Sequence, residues 1–343
     1  MDRLRRILGQ PFFSVVLLTT IFVFAGIILL PALGPTHAED RAQAGMASGA
    51  DAENPTVNHN TWTSGAPMPT PVCYAPTVVL KKQIYVLGGC ATPSTGTTDV
   101  QIYNPATNSW SAGVPLPTAI WAESAAVVKG IIYVIGGATT PNPPWTDAVW
   151  AFNPKTKTWN AKTSVPNAIA GAVAVLDKSN IIHLIGGDWN NSFPTTDYSY
   201  NPATDTWTEE APLLAAKTQH VAGLIGTTIL ATDGYSASGG PTSDNEGFNL
   251  ATETWSSLAA DPSARTGPCG GPIGSSLYVA GGYPAGSLTE SFKLSKGKWT
   301  TLADMPQPTL LPASAAYNKQ LYCFGGLTSF GGTVLGNVQI YQP

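Results

Sequence analysis

From about residue 60 onward, short apolar runs alternate with clusters of Gly, Pro, Asn, Ser and Thr. No stretch there carries the apolar period of an amphipathic helix. The stretch from Trp62 to Trp110 sets the pattern, with runs at 75–80, at 84–87 closing on Gly88-Gly89, at 100–103 closing on Asn104-Pro105, and around Trp110. Runs of this length bounded by turn-forming residues predict four antiparallel strands, a to d in chain order. The pattern then recurs. Trp62, Trp110, Trp159, Trp207, Trp255 and Trp299 follow one another at intervals of 44 to 49 residues. The Gly pair returns as Gly136-Gly137, Gly186-Gly187, Gly281-Gly282 and Gly325-Gly326, with Asp233-Gly234 replacing it once. A fixed period of this size is the mark of a repeat architecture, so the fold is read from the repeat.

The aromatics ending strand c (Tyr103, Phe152, Tyr200, Phe248, Phe292, Tyr341) and the spaced tryptophans are expected to pack between sheets, since each carries a large buriable area. Gly-Gly doublets with a downstream Tyr and a spaced Trp resemble the Kelch repeat, over about residues 60 to 343. The resemblance implies an all-β, six-bladed Kelch-like β-propeller with four-stranded antiparallel blades. The last unit begins at Trp299 and stops at Pro343 without its own strand d. The segment Thr61-Trp62-Thr63 is expected to supply it, so that the N-terminal strand closes the last blade and no sheet edge is left open.

The N-terminus differs in kind. Residues 1–10 carry Arg3, Arg5 and Arg6, and residues 11–33 are almost uninterruptedly apolar. Basic residues before such a run predict export, with one N-terminal hydrophobic helix serving as a membrane anchor or as a signal peptide cleaved at the small-residue sites that follow. Residues 34–59 are small, polar and aperiodic, and read as a flexible linker to the propeller at 60–343. The propeller is therefore expected outside the cytoplasm, on the membrane or secreted. Lys and Arg total 17 against 21 Asp and Glu, which gives no electrostatic footprint for nucleic acid. In sequence the basic residues are scattered. A monomer without cofactor is expected.

The four cysteines are an even number in an oxidising compartment. Cys73 starts strand a of the first unit and Cys90 follows its Gly pair, so antiparallel neighbours favour a Cys73–Cys90 disulfide. Cys269 and Cys323 would bridge units five and six. Paired Cys/His spacing for a metal is missing. His183 occupies the slot of Tyr85, Tyr133, Tyr278 and Tyr322, and reads as a packing substitution.

In an antiparallel blade the b-to-c and d-to-a connections emerge at the same end. The d-to-a side carries Tyr74, Trp121, Glu123, Lys217, Gln219, His220 and Arg265, and the b-to-c loops carry Trp145, Asp188, Trp189, Asn190, Asn191, Phe193, Tyr235, Tyr283 and Phe330. Aromatic rings beside amides and hydroxyls suit a glycan or a protein partner. The ligand-binding expectation therefore rests on Tyr74, Trp121, Trp145, Asp188, Trp189, Asn190, Tyr235 and Tyr283, in a non-catalytic recognition module. The alternative is a carbohydrate-active enzyme of the sialic acid mutarotase type, to which secreted Kelch propellers are similar. It would use Glu123, Lys217, His220 and Arg265 as acid–base groups in the central funnel.

Overall fold

A computed structural model describes residues 59–93, 95–139, 145–188 and 192–343. Those residues form an all-β structure whose main body is six four-stranded antiparallel sheets. The first sheet joins Thr77–Leu80, Gln83–Leu87, Val100–Asn104 and Ser109–Ala112 in that order, matching the sequence reading of strands a to d. The six strands a are Thr77–Leu80, Ser124–Val128, Val173–Leu176, Val221–Ile225, Cys269–Ile273 and Ala313–Tyr317. Each touches the next, and the last touches the first. The only helical element among the described residues is one 3-10 turn at Leu294–Lys296. No described helix is long and apolar enough to cross a membrane, and the apolar run at 11–33 lies outside the described residues.

The sixth sheet is completed from the other end of the chain. Thr61–Ser64 pairs antiparallel with Val338–Gln342, in the register Thr61↔Gln342 and Trp62↔Tyr341. Trp62 thus belongs with the last sheet. The compact unit runs from Thr56 to Pro343.

The tryptophan repeat has one physical job performed six times. Each Trp sits cross-strand from the strand-c aromatic of its own sheet, with ring centroids 4.8 to 5.3 Å apart from Tyr200–Trp207 to Phe292–Trp299. Five of the indole N–H groups then reach the preceding sheet. Trp110 donates to the Ala66 carbonyl at 2.8 Å, Trp207 to Thr163, Trp255 to Ala211, Trp299 to Ala259 and Trp62 to Ala303. Trp159 makes no such bond.

A second device appears where strand c ends in Tyr. Tyr103, Tyr200 and Tyr341 donate their hydroxyls to Asn108, Asp205 and Asn60, each two residues before a Trp. The same oxygens of Asn108, Asp205 and Asn60 accept backbone N–H groups of the preceding sheet, from Ala66, Thr163 and Ala303. Where strand c ends in Phe, the matching residues are Lys157, Glu253 and Gly297, which offer no short acceptor.

Both disulfides are present. Cys73–Cys90 lies within the first sheet's loops, and Cys269–Cys323 links strand a of the fifth sheet to strand b of the sixth. His183 is buried against the Phe248 ring, 5.8 Å between centroids, and lies 3.8 Å from Asp177.

Candidate ligand site in the central cavity

Just before each strand a enters its sheet, one residue takes a left-handed backbone conformation. The six are Tyr74, Ala122, Gly171, Gln219, Gly267 and Leu311, with φ between 50° and 66°. Their backbones form a closed ring. Ala122 N–H donates to the Tyr74 carbonyl at 2.9 Å, Gly171 to Ala122 at 2.8 Å, and Gln219 to Gly171 at 3.2 Å. Gly267 then donates to Gln219 at 2.9 Å, Leu311 to Gly267 at 2.7 Å, and Tyr74 to Leu311 at 2.7 Å. Left-handed backbone costs a non-glycine residue roughly 1–2 kcal/mol, and the inter-sheet hydrogen bond gained at each step offsets it.

Against one face of the ring, between the strands a, lies a cavity of about 360 Å³. Tyr74, Gln219, Gly267 and Leu311 of the ring bound one end, and small apolar residues of strands a, such as Val79, Ala125, Ala174, Ala222 and Ala316, form the walls. Tyr74 reaches across from the first sheet, and its hydroxyl hydrogen-bonds Thr218 of the fourth. Only glycine fits at 171, because a Cβ there would collide with both the Tyr74 and the Thr218 hydroxyls.

Two polar side chains lie one residue beyond the ring, Glu123 and His220. Ala75, Ala172, Pro268 and Pro312 hold the same register in the other sheets. Both line the cavity and are buried. The Gly doublet makes room for them: a Cβ at Gly88 would strike the Glu123 carboxylate, and one at Gly186 would come within 3.0 Å of His220 Cε1. Among the described residues no side chain pairs with either oxygen of Glu123 or either ring nitrogen of His220, and only the Glu123 and Gly89 backbone amides lie near the carboxylate. Burial pushes the Glu123 carboxyl up to about 8, against the pull of the Glu123 and Gly89 amides. Burial and the Lys217 charge push His220 down to about 3. At neutral pH the cavity therefore offers a protonated acid and a neutral imidazole, one proton donor and one acceptor.

These shifts predict opposite limbs in the pH dependence of stability. Glu123 binds a proton more tightly folded than unfolded, so its contribution is full below the ordinary value of 4.5 and is lost as pH rises toward 8. His220 is the reverse, contributing fully above 6.5 and losing that contribution as pH falls toward 3. Their slopes cancel between about pH 4.5 and 6.5. Thermal melts from pH 3 to 9 are expected to show Glu123→Gln flattening the alkaline limb and His220→Gln flattening the acid limb. Limbs unchanged in both variants would contradict the assignment.

Lys217 and Arg265 need correcting: neither lines the cavity. Lys217 is fully buried, with its ammonium 2.8 Å from Glu246 Oε1. Arg265 is fully buried among Asp261 at 3.2 Å, Asp233 at 3.9 Å and Glu290, which it contacts directly. The reason is a repeat position. The second residue of strand c clasps the incoming d-to-a segment, and in the first and sixth sheets Gln101 and Gln339 do so by bonding both backbone groups of Thr70 and Gln307. In the fourth and fifth sheets the clasp is Glu246 or Glu290, and a buried carboxylate requires a cation. Of the four residues expected as acid–base groups, Glu123 and His220 line the cavity.

The remaining expected residues that the structure describes lie on the loop side of the ring. Trp121 and Trp145 flank Ala138 by β-bridges and pack with Tyr74 over Ala122, Ala138 and Ala170. Asp188 bridges to Ala170. Tyr235 pairs with Thr218 and lies 6.0 Å from the Phe193 ring. Tyr283 bridges to Thr266, is 52% exposed, and meets the 51%-exposed Phe330 edge-on at 5.6 Å. Trp189 and Asn190 lie outside the described residues. Gln219, expected on the d-to-a side, is a member of the ring, and its side chain accepts a hydrogen bond from the Thr266 hydroxyl. Among the described residues no group of three His, Cys, Asp or Glu side chains is placed to hold a metal.

Comparison with known proteins agrees with this architecture. A solved structure described as "Structure of YjhT" superposes with a TM-score of 0.70 at 18% identity, over 80% of this chain and 96% of that one. No curated protein matches the sequence. Residues 84–291 match the model of the Attractin/LZTR1 β-propeller family, and the chain belongs to that Kelch-type family.

Proposed function

We propose that the chain is a six-bladed extracytoplasmic recognition module that binds a glycan or protein partner through the loop face bearing Tyr283 and Phe330. The observation that carries this reading is the exposed Tyr283–Phe330 pair, two rings half open to solvent on neighbouring loops. Exposed aromatics in contact lose little conformational freedom on binding and act as interface anchors. The extracytoplasmic placement is supported by the apolar run at 11–33 and by two disulfides with no free cysteine among the described residues.

The test is binding by the full chain to a glycan array and to extracellular protein extracts, with Tyr283→Ala/Phe330→Ala alongside. Anchors of this kind are each worth at least about 1 kcal/mol, so a loss of roughly tenfold or more is expected in the double variant. Undiminished binding would overturn the reading.

A second reading is favoured by the buried Glu123 carboxyl and His220 imidazole facing one cavity, with no side-chain partner among the described residues. A donor and an acceptor there suit the opening and reclosing of a sugar ring, as in a mutarotase-type enzyme. Anomer exchange measured by NMR, abolished by Glu123→Gln while Tyr283→Ala/Phe330→Ala retains it, would favour this reading over the first.

A further inference from the structure

The cavity lies entirely on one side of the hydrogen-bonded ring, and away from the ring it leads to the a-to-b hairpins of the inner strands. Those hairpins gather lysines that look scattered in the sequence. Lys81 and Lys82 turn the first, Lys129 the second, Lys178 the third and Lys319 the sixth. All five are exposed, and none is in an ion pair with a described residue. Asp177 is the one acid on these hairpins, and its carboxylate is engaged by the Ser179 and Ile181 amides.

Four of these lysines stand where the backbone disfavours them. Lys81 and Lys82 have φ of 50° and 66°, Lys129 has 48° and Lys319 has 62°. Two-residue hairpins with positive φ at both centres favour Asn-Gly, so a Lys-Lys turn gives up local stability. Strain of this kind held at a surface points to a function for the side chains.

The chain also enters the folded unit at this end. Thr61–Ser64 begins beside Gln342, at the end of the sixth sheet where Asn318-Lys319 makes its turn. Ahead of it in sequence stand the apolar run at 11–33 and 26 linker positions, 34–59. Twenty-six residues of random coil would reach a root-mean-square distance of about 30 Å, on the order of the folded domain's own size.

We propose that the lysine-bearing hairpin face docks on anionic lipid headgroups of the membrane in which the N-terminal segment is anchored. The proposal rests on the anchor reading of residues 11–33. Each lysine near an anionic surface adds attraction that salt screens.

The full chain would be reconstituted with neutral phosphatidylcholine vesicles and with vesicles one-third phosphatidylglycerol, then pulse-acetylated and read by peptide mass spectrometry. Acetylation of Lys81, Lys82, Lys129, Lys178 and Lys319 is expected to slow severalfold on the anionic vesicles and to recover in roughly 0.5 M salt. Equal labelling on both vesicles, with the chain bound to them, would overturn the proposal and spare the anchor. Binding to anionic vesicles alone would overturn the anchor and support the face, and binding to neither would overturn both. Lys81→Asn/Lys82→Gly separates docking from folding. It is expected to weaken protection of the other three lysines while raising Tm by about 2–4 °C. Undiminished protection in that variant would count against the proposal.

Discussion

Deletion of residues 58–66 is expected to unfold the propeller at temperatures where the intact chain is native. The segment supplies the fourth strand of the sixth sheet through four residue pairs, from Thr61↔Gln342 to Ser64↔Gln339. It also places Trp62 against Tyr341 at 5.1 Å and carries the indole N–H to Ala303 of the fifth sheet. Asn60 adds bonds to the Tyr341 hydroxyl and the Ala303 amide. Its loss exposes Tyr341, now fully buried, and leaves Val338–Gln342 as an open edge. Removing one large aromatic from a core typically costs about 3–5 kcal/mol, and a native domain holds only about 5–15 in all. Trp62→Ala is therefore expected to be clearly destabilised and the deletion more so, by urea and thermal unfolding. An unaltered midpoint in the deletion would refute the closure.

Arg265→Ala is expected to be the most damaging single substitution, at about 3–5 kcal/mol near neutral pH. The guanidinium stands among Asp233, Asp261 and Glu290, all buried, and also bonds the Leu288 carbonyl at 3.0 Å. Even with the arginine in place, burial and the neighbouring Asp261 hold the Asp233 carboxyl well above its usual range and Glu290 at about 7. Without it both rise further. A carboxyl whose folded value is raised stabilises the fold at low pH and loses that contribution as pH climbs through the folded value. The deficit of Arg265→Ala should thus be largest above pH 7 and shrink toward pH 4.5. Arg265→Lys should rescue little, because a single ammonium cannot span three carboxylates and a carbonyl. A deficit independent of pH would show that lost packing, not charge, dominates.

The scaffold could be read from the chain because its parts repeat in register. Trp62 was assignable to the last sheet by counting, and the strand-c aromatics by their spacing. The site was less legible, since a residue's side of a strand does not reveal its neighbours in other sheets. Lys217 and Arg265 share a register beside the funnel and look catalytic in a linear reading, yet Glu246 and Glu290, some 25 to 29 positions away, hold them in the scaffold. Glu123 and His220 share a register three residues further on, one past the ring, and there they face the cavity instead of the scaffold. The hairpin lysines were missed for a related reason. Lys81 and Lys319 are far apart in sequence and come to one end of the molecule only when the sheets close into a ring.

That ring of six amides has an electrical consequence. Every member passes its N–H to the carbonyl of the sheet before it, so the peptide dipoles run head to tail in one rotational sense about the axis. Dipoles circulating in this way polarise one another, which strengthens the belt, yet their sum along the axis nearly vanishes. A helix terminus would attract an anion to the channel, whereas this closed circuit projects almost no field into it. What polarity the cavity has therefore comes from side chains such as Glu123, His220, Gln219 and Tyr74, and the backbone that shapes the chamber adds little to it.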